Sequence, residues 1–140
     1  MTLLFDTNIV LDVIQGRRPH LKEAAWAFAR VERGEDQGIL CGTTLATVCY
    51  ILEKTPGLSK QQVREALRQL LNTFEVASVG RSALMAALEG GFDDYEDAVL
   101  YESGRRAGAE AIITRDSAGF AKAEIPVYTP QQLRVLVGEK

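Results

Sequence analysis

Leu3-Leu4-Phe5-Asp6-Thr7-Asn8 opens the chain, and Ile112-Ile113-Thr114-Arg115-Asp116 stands near its other end. The first is a short apolar run that stops at a carboxylate, as a strand buried in a parallel sheet would. The second repeats the pattern, with Ala111 to Thr114 as a strand and Asp116 just beyond it. Between them the periodicity alternates. Thr7 or Asn8 can cap a short helix that carries Ile9, Val10, Val13 and Ile14 on one side. Gln15 to Pro19 breaks it, and Pro19 suits the first turn of a helix reaching about Arg33 through Leu21, Ala24, Ala25, Phe28, Ala29 and Val31.

Gly38 to Cys41 is the next strand, and from Thr43 the residues Leu45, Val48, Cys49 and Leu52 fall on one helical face toward the core. Pro56-Gly57 ends that helix, and Ser59 caps another through Val63, Ala66, Leu67 and Leu70-Leu71. Phe74 to Val76 reads as a strand, Arg81 to Glu89 as a helix, and Asp94 as the cap of a helix to about Ala107. Pro126 to Tyr128 is a short last strand, with a helix from Pro130 carrying Leu133, Val135, Leu136 and Val137. Alternating strands and helices without a hairpin signal predict a three-layer α/β/α sandwich around a parallel sheet of four to five strands. Ligands of such sheets bind beyond the carboxyl ends of the strands, where the topology switches.

The 140 residues fit one domain, 1–140, and a composition 46% hydrophobic and 25% charged is that of a folded globule. No apolar run is long enough to span a bilayer, which takes roughly 18 residues or more, so no membrane is expected. The start has no basic segment ahead of Asp6, which predicts no secretory signal. Cys41 and Cys49 lack metal or disulfide spacing, so a reduced cytoplasmic setting is expected. A net charge of −3 argues against strong non-specific nucleic-acid binding through surface charge, yet leaves room for an enzyme whose metal meets the phosphates.

Asp6 ends the first strand, Asp116 follows the fourth, and Asp97 sits in the first turn of the helix leading into it, three residues after Asp94. If strands one and four are neighbours, these acids converge. Two carboxylates about 4 Å apart repel by roughly 4 kcal/mol at an effective dielectric of 20. Protons or cations must offset that, and oxygen-only donors favour Mg²⁺ or Mn²⁺ over zinc. Taken singly each acid has a plain alternative: Asp6 or Thr7 as a helix cap, Asp94 and Asp97 as cap and first-turn charge, Asp116 as a turn residue.

Three segments resemble a known family. Asp6-Thr7-Asn8 after an apolar strand looks like the opening of the PIN-domain ribonucleases, the fold of VapC-type toxins. Asp94-Tyr95-Glu96-Asp97-Ala98 resembles the family's second acidic block. Thr114-Arg115-Asp116, with Phe120 and Ile125 to Pro130, resembles its closing segment. The likeness runs from Leu3 to about Leu133, in the family's order. It implies a Mg²⁺- or Mn²⁺-dependent endoribonuclease, the toxin of a toxin–antitoxin pair, with RNA as substrate, an antitoxin as partner and a homodimer as assembly. Asp6, Asp97 and Asp116 would be the metal ligands and catalytic acids, Asp94 an auxiliary acid of the metal site, and Thr7 and Asn8 would position a ligand or phosphate.

One position departs. The family usually carries a Glu in the helix after the second strand, where this chain has Thr47. Glu53 lies about 9 Å along the helix and about 120° around, a poor substitute. A rival reading is therefore a catalytically weak PIN module that binds RNA or a partner protein. A phosphoacceptor signalling domain also gathers acids at strand ends, but here no acidic pair follows the first strand. Arg17, Arg18, Arg115 and the pair Arg105-Arg106 are the basic residues considered for RNA contact. His20, the only histidine, fits solvent beside Pro19 better than a general base, and Trp26 with Phe28 fits packing better than base stacking.

Overall fold

A computed structural model describes residues 1–139. Five strands, β1 (Thr2–Phe5), β2 (Gln37–Cys41), β3 (Glu75–Ala77), β4 (Ala111–Ile113) and β5 (Val127–Tyr128), form one parallel sheet in the order β3-β2-β1-β4-β5. The chain winds outward from β1 to β3, then returns to lay β4 on the other side of β1. The carboxyl ends of β1 and β4 are thus the topological switch.

Successive side chains of β1 point to opposite faces, and each face buries its own core. Leu3 and Phe5 meet α1 (Thr7–Ile14), α2 (Leu21–Glu32), α3 (Gly42–Glu53), α4 (Lys60–Thr73) and α7 (Pro130–Leu136) through Val10, Phe28, Val48, Leu70 and Leu133. The rings of Phe5, Phe28 and Phe74 pack edge-on or tilted, with centroids 4.9–5.5 Å apart. Leu4 faces the other way, toward Leu100 and Tyr101 of α6 (Tyr95–Arg106) and Phe120 of a 3-10 turn (Ser117–Phe120). There α6 also packs on α5 (Arg81–Glu89) through Ala87, Ala98 and Val99. This is the α/β/α sandwich expected from the alternation.

Several boundaries differ from the sequence reading. Of the caps considered for α1, Asp6 is the one that forms, and Thr7 and Asn8 lie inside the helix. Pro19 precedes α2 instead of lying in its first turn, and follows a cis peptide bond. Phe74 closes α4 and turns into the aromatic cluster, leaving β3 to begin at Glu75. The last strand pairing of β4 is at Ile113; the Thr114 amide still donates to the Tyr128 carbonyl at 3.0 Å, while its hydroxyl bonds sideways. Ser59 and Thr129 form complete capping boxes with Gln62 and Gln132.

Candidate active site

Asp6 follows the last residue of β1, and its amide still donates to the Ile113 carbonyl at 2.9 Å. Phe5 is in register with Ile113, so one residue on, Asp6 and Thr114 stand side by side. The buried Thr114 hydroxyl donates to Asp6 Oδ2 at 2.7 Å, and the Thr7 amide donates to Asp6 Oδ1, also at 2.7 Å. Both oxygens are therefore fixed. Burial raises the Asp6 pKa, and Asp116 adds to this; the Thr114 and Thr7 hydrogen bonds pull the other way without cancelling it.

Thr114 also ties in the third acid, because the Asp116 amide donates to the same hydroxyl oxygen at 3.0 Å. One threonine thus spans the ends of β1 and β4. Asp97 comes from the other face, in the first turn of α6, where its amide donates to Asp94 Oδ1 at 3.0 Å. Asp94 is the helix cap. Burial, then repulsion from Asp6, Asp94, Asp116 and Glu96, pushes the Asp97 carboxyl up to about 7. The 3-10 turn brings Gly119 against both remaining acids: a Cβ there would stand 2.8 Å from Asp97 Oδ2 and 3.0 Å from Asp116 Oδ2. Only glycine leaves that space to the carboxylates.

Asp6, Thr7, Thr43, Thr47, Glu96 and Asp97 line a cavity of about 80 Å³. That is room for a few waters or a hydrated ion, since one water needs roughly 10–15 Å³. A larger cavity of about 350 Å³ opens elsewhere, between α1, α2 and α4, and is walled by Val13, Ile14, Phe28 and Leu70. Among the described residues no three His, Cys, Asp or Glu side chains stand close enough to coordinate one ion without adjustment. The donors nonetheless suit a hard divalent cation: they are all oxygens, and the repulsion on Asp97 is of the kind a cation relieves.

The other residues singled out from the sequence are distributed unevenly. Thr7 pairs its hydroxyl with that of Thr44 at 2.9 Å, and Asn8 faces Thr114 Oγ1 and the Arg115 amide, each at 3.5 Å. Thr47 does reach the cleft, beside Asp6 and Asp97, whereas Glu53 is exposed at the end of α3. Arg17 and Arg18 follow the far end of α1, a helix of about 12 Å away from Asp6. Arg17 Nε donates to Gln15, and Arg105 and Arg106 both close on Glu102. Arg115 commits its guanidinium to the buried Asp12. Trp26 packs beneath Arg134 and donates to Glu139 at 2.7 Å, and Phe28 is core.

Reading the sequence missed Thr114 as a bridge, and also Glu96, Thr43 and Gly119. The available signal was a polar residue closing an apolar strand in the register of Asp6, legible only once β1 and β4 are known to be neighbours.

Comparison with known proteins agrees with this fold. The family model described as PIN domain matches residues 2–118. A toxin–antitoxin complex from Klebsiella pneumoniae contains a chain 27% identical, with a TM-score of 0.68, the match covering 91% of this chain and 97% of that one. Two further structures share the fold at lower identity. They are VapBC2 from Rickettsia felis bound to a DNA fragment from its promoter (14%, TM-score 0.67, 92% and 98% covered) and VapBC-1 from nontypeable Haemophilus influenzae (16%, 0.68, 94% and 99%). No curated protein sequence matches the chain. Among the described residues no helix is long and apolar enough to cross a membrane. A parallel sheet whose strand order reverses between β1 and β4, acids after both strands, and a family match over most of the sequence lead to one assignment: the chain belongs to the PIN-domain family.

Proposed function

We propose that the chain is a metal-dependent endoribonuclease and the toxin of a toxin–antitoxin pair. One observation carries this reading: Asp6, Glu96 and Asp97 line a small polar cavity at the topological switch, with Asp116 reaching Asp97 across Gly119, so that Asp97 is both buried and repelled by its acidic neighbours. So many negative charges are stable together only with protons or cations. Asp6, Asp97 and Asp116 would hold Mg²⁺ or Mn²⁺, with Asp94 fixing the helix turn that presents Asp97. A bound ion of this type activates water and stabilises the charge that develops on an RNA phosphodiester.

The protein's own part is to hold the acids still. Thr114 and the Thr7 amide orient Asp6, and Gly119 leaves space between Asp97 and Asp116. Thr43 and Thr47 offer hydroxyls to water or phosphate in the cleft. An antitoxin partner is supported by the likeness to the Klebsiella pneumoniae toxin–antitoxin complex. A homodimer and a cytoplasmic location belong to the same proposal.

Thr47 favours a second reading, a PIN module that binds RNA or a partner and cleaves weakly, because a hydroxyl there supplies no charge to a cation. Cleavage of a mixed pool of structured RNA with Mn²⁺, by wild type and by Asp97→Asn, separates the two. Turnover by wild type alone is the expected result. Binding without cleavage by folded wild type at millimolar Mn²⁺ would establish the second reading instead.

A further inference from the structure

Asp12, the one acid within α1, has 0% of its surface exposed. Its carboxylate meets one partner in two places: Arg115 Nε donates to Oδ2 at 2.6 Å, and Nη2 donates to Oδ1 at 3.2 Å. Arg115 stands between Thr114, which holds Asp6, and Asp116. We propose that Asp12 and Arg115 are positioning residues, a fork-shaped clamp that fixes residues 114–116 and so holds the Asp116 carboxylate close to Asp97 across Gly119. The inference rests on reading Asp6, Asp97 and Asp116 as the metal site.

The local backbone explains why a clamp is needed. Asp116 lies past the end of β4 and before the 3-10 turn, so no strand ladder holds it. Its amide bond to Thr114 and its carbonyl bond to the Gly119 amide at 3.2 Å leave the preceding residue to be fixed from outside. Arg115 supplies that anchor, and its amide also faces Asn8 Oδ1. An Arg–carboxylate fork fixes direction as well as distance, which a lysine or an apolar contact does not. Packing alone does not require the pair. Asp12 is buried while the Arg115 side chain is 32% exposed, and an ion pair with a buried partner can often be replaced by apolar residues of similar size with little loss of stability.

Two measurements on three proteins test this: wild type, Asp12→Asn, and the double variant Asp12→Leu with Arg115→Met. Hydrogen exchange of the metal-free proteins reports the order of residues 114–120, and calorimetric titration with Mn²⁺ reports the site. Asp12→Asn is expected to speed exchange in that segment and to weaken Mn²⁺ binding about tenfold, the lower range for residues that orient ligands. The double variant should regain wild-type thermal stability while keeping both defects. Should Asp12→Asn fail to fold, Arg115→Lys, which keeps the charge and loses the fork, is expected to show the same two defects. Wild-type exchange and Mn²⁺ affinity in the double variant would overturn the proposal and leave the pair as packing. Wild type that binds no Mn²⁺ would instead overturn the metal-site reading, and the exchange measurement would still decide whether the pair orders Asp116.

Discussion

Asp97 is both buried and crowded by other acids, and the consequences are open to measurement without RNA. Its carboxyl titrates near 7 in the folded chain, pushed up first by burial and then by Asp6, Asp94, Asp116 and Glu96, against the ordinary 3.8. The folded state therefore holds more protons than the unfolded one between those values. Stability of the metal-free protein should fall as pH rises from about 4 to 7, and the penalty persists above 7. Asp97→Asn removes it. With water screening much of the effect at this half-buried position, the variant should be about 1 kcal/mol more stable than wild type at pH 8 and equal near pH 4, by urea denaturation without metal. A variant no more stable at pH 8 would mean that the acids do not repel as the geometry implies. The acids themselves were legible in the sequence, because each closes an apolar run or opens a helix. Thr114 and the Asp12–Arg115 pair were not, because their partners lie more than a hundred residues away along the chain.

At the scale of elements, α6 places Asp97, and its packing on β1 decides how closely it can approach Asp6. Gly104 makes that approach possible. A Cβ there would lie 2.5 Å from Leu4 Cδ2 and 3.0 Å from Leu4 Cγ, and Leu4 is fully buried. Alanine would gain about 1 kcal/mol in helix propensity and lose roughly 1–3 to overpacking. Gly104→Ala should therefore destabilise by about 1 kcal/mol, seen as a lower urea midpoint with an unchanged m-value; a higher midpoint would show that α6 can ride outward freely. Element types were readable from periodicity, and Arg81–Glu89 was placed at its observed bounds. The 3-10 turn Ser117–Phe120 was not read, since a single turn carries no period. Phe74 was taken into β3 because a lone aromatic beside a strand looks the same in sequence whether it pairs or packs.

For the whole molecule, the proposed site couples metal binding to folding. A cation that binds only the folded state adds about 2.7 kcal/mol at a hundred times its dissociation constant. Mn²⁺ should raise Tm more at pH 8 than at pH 5, where a proton on Asp97 competes with it. Equal shifts at both pH values would place the ion elsewhere. The sequence by itself determined the alternation of short apolar strands with amphipathic helices, and the presence of an acid where β1 ends, where α6 begins and shortly after β4. These are local properties, written in spacings of two to four residues. Only the tertiary structure decided that β4 lies beside β1 and not beyond β3, which brings Asp6, Thr114 and Asp116 together and sets Asp97 opposite them. Strand order depends on which apolar faces bury one another across the entire chain, and no local window of residues contains that information.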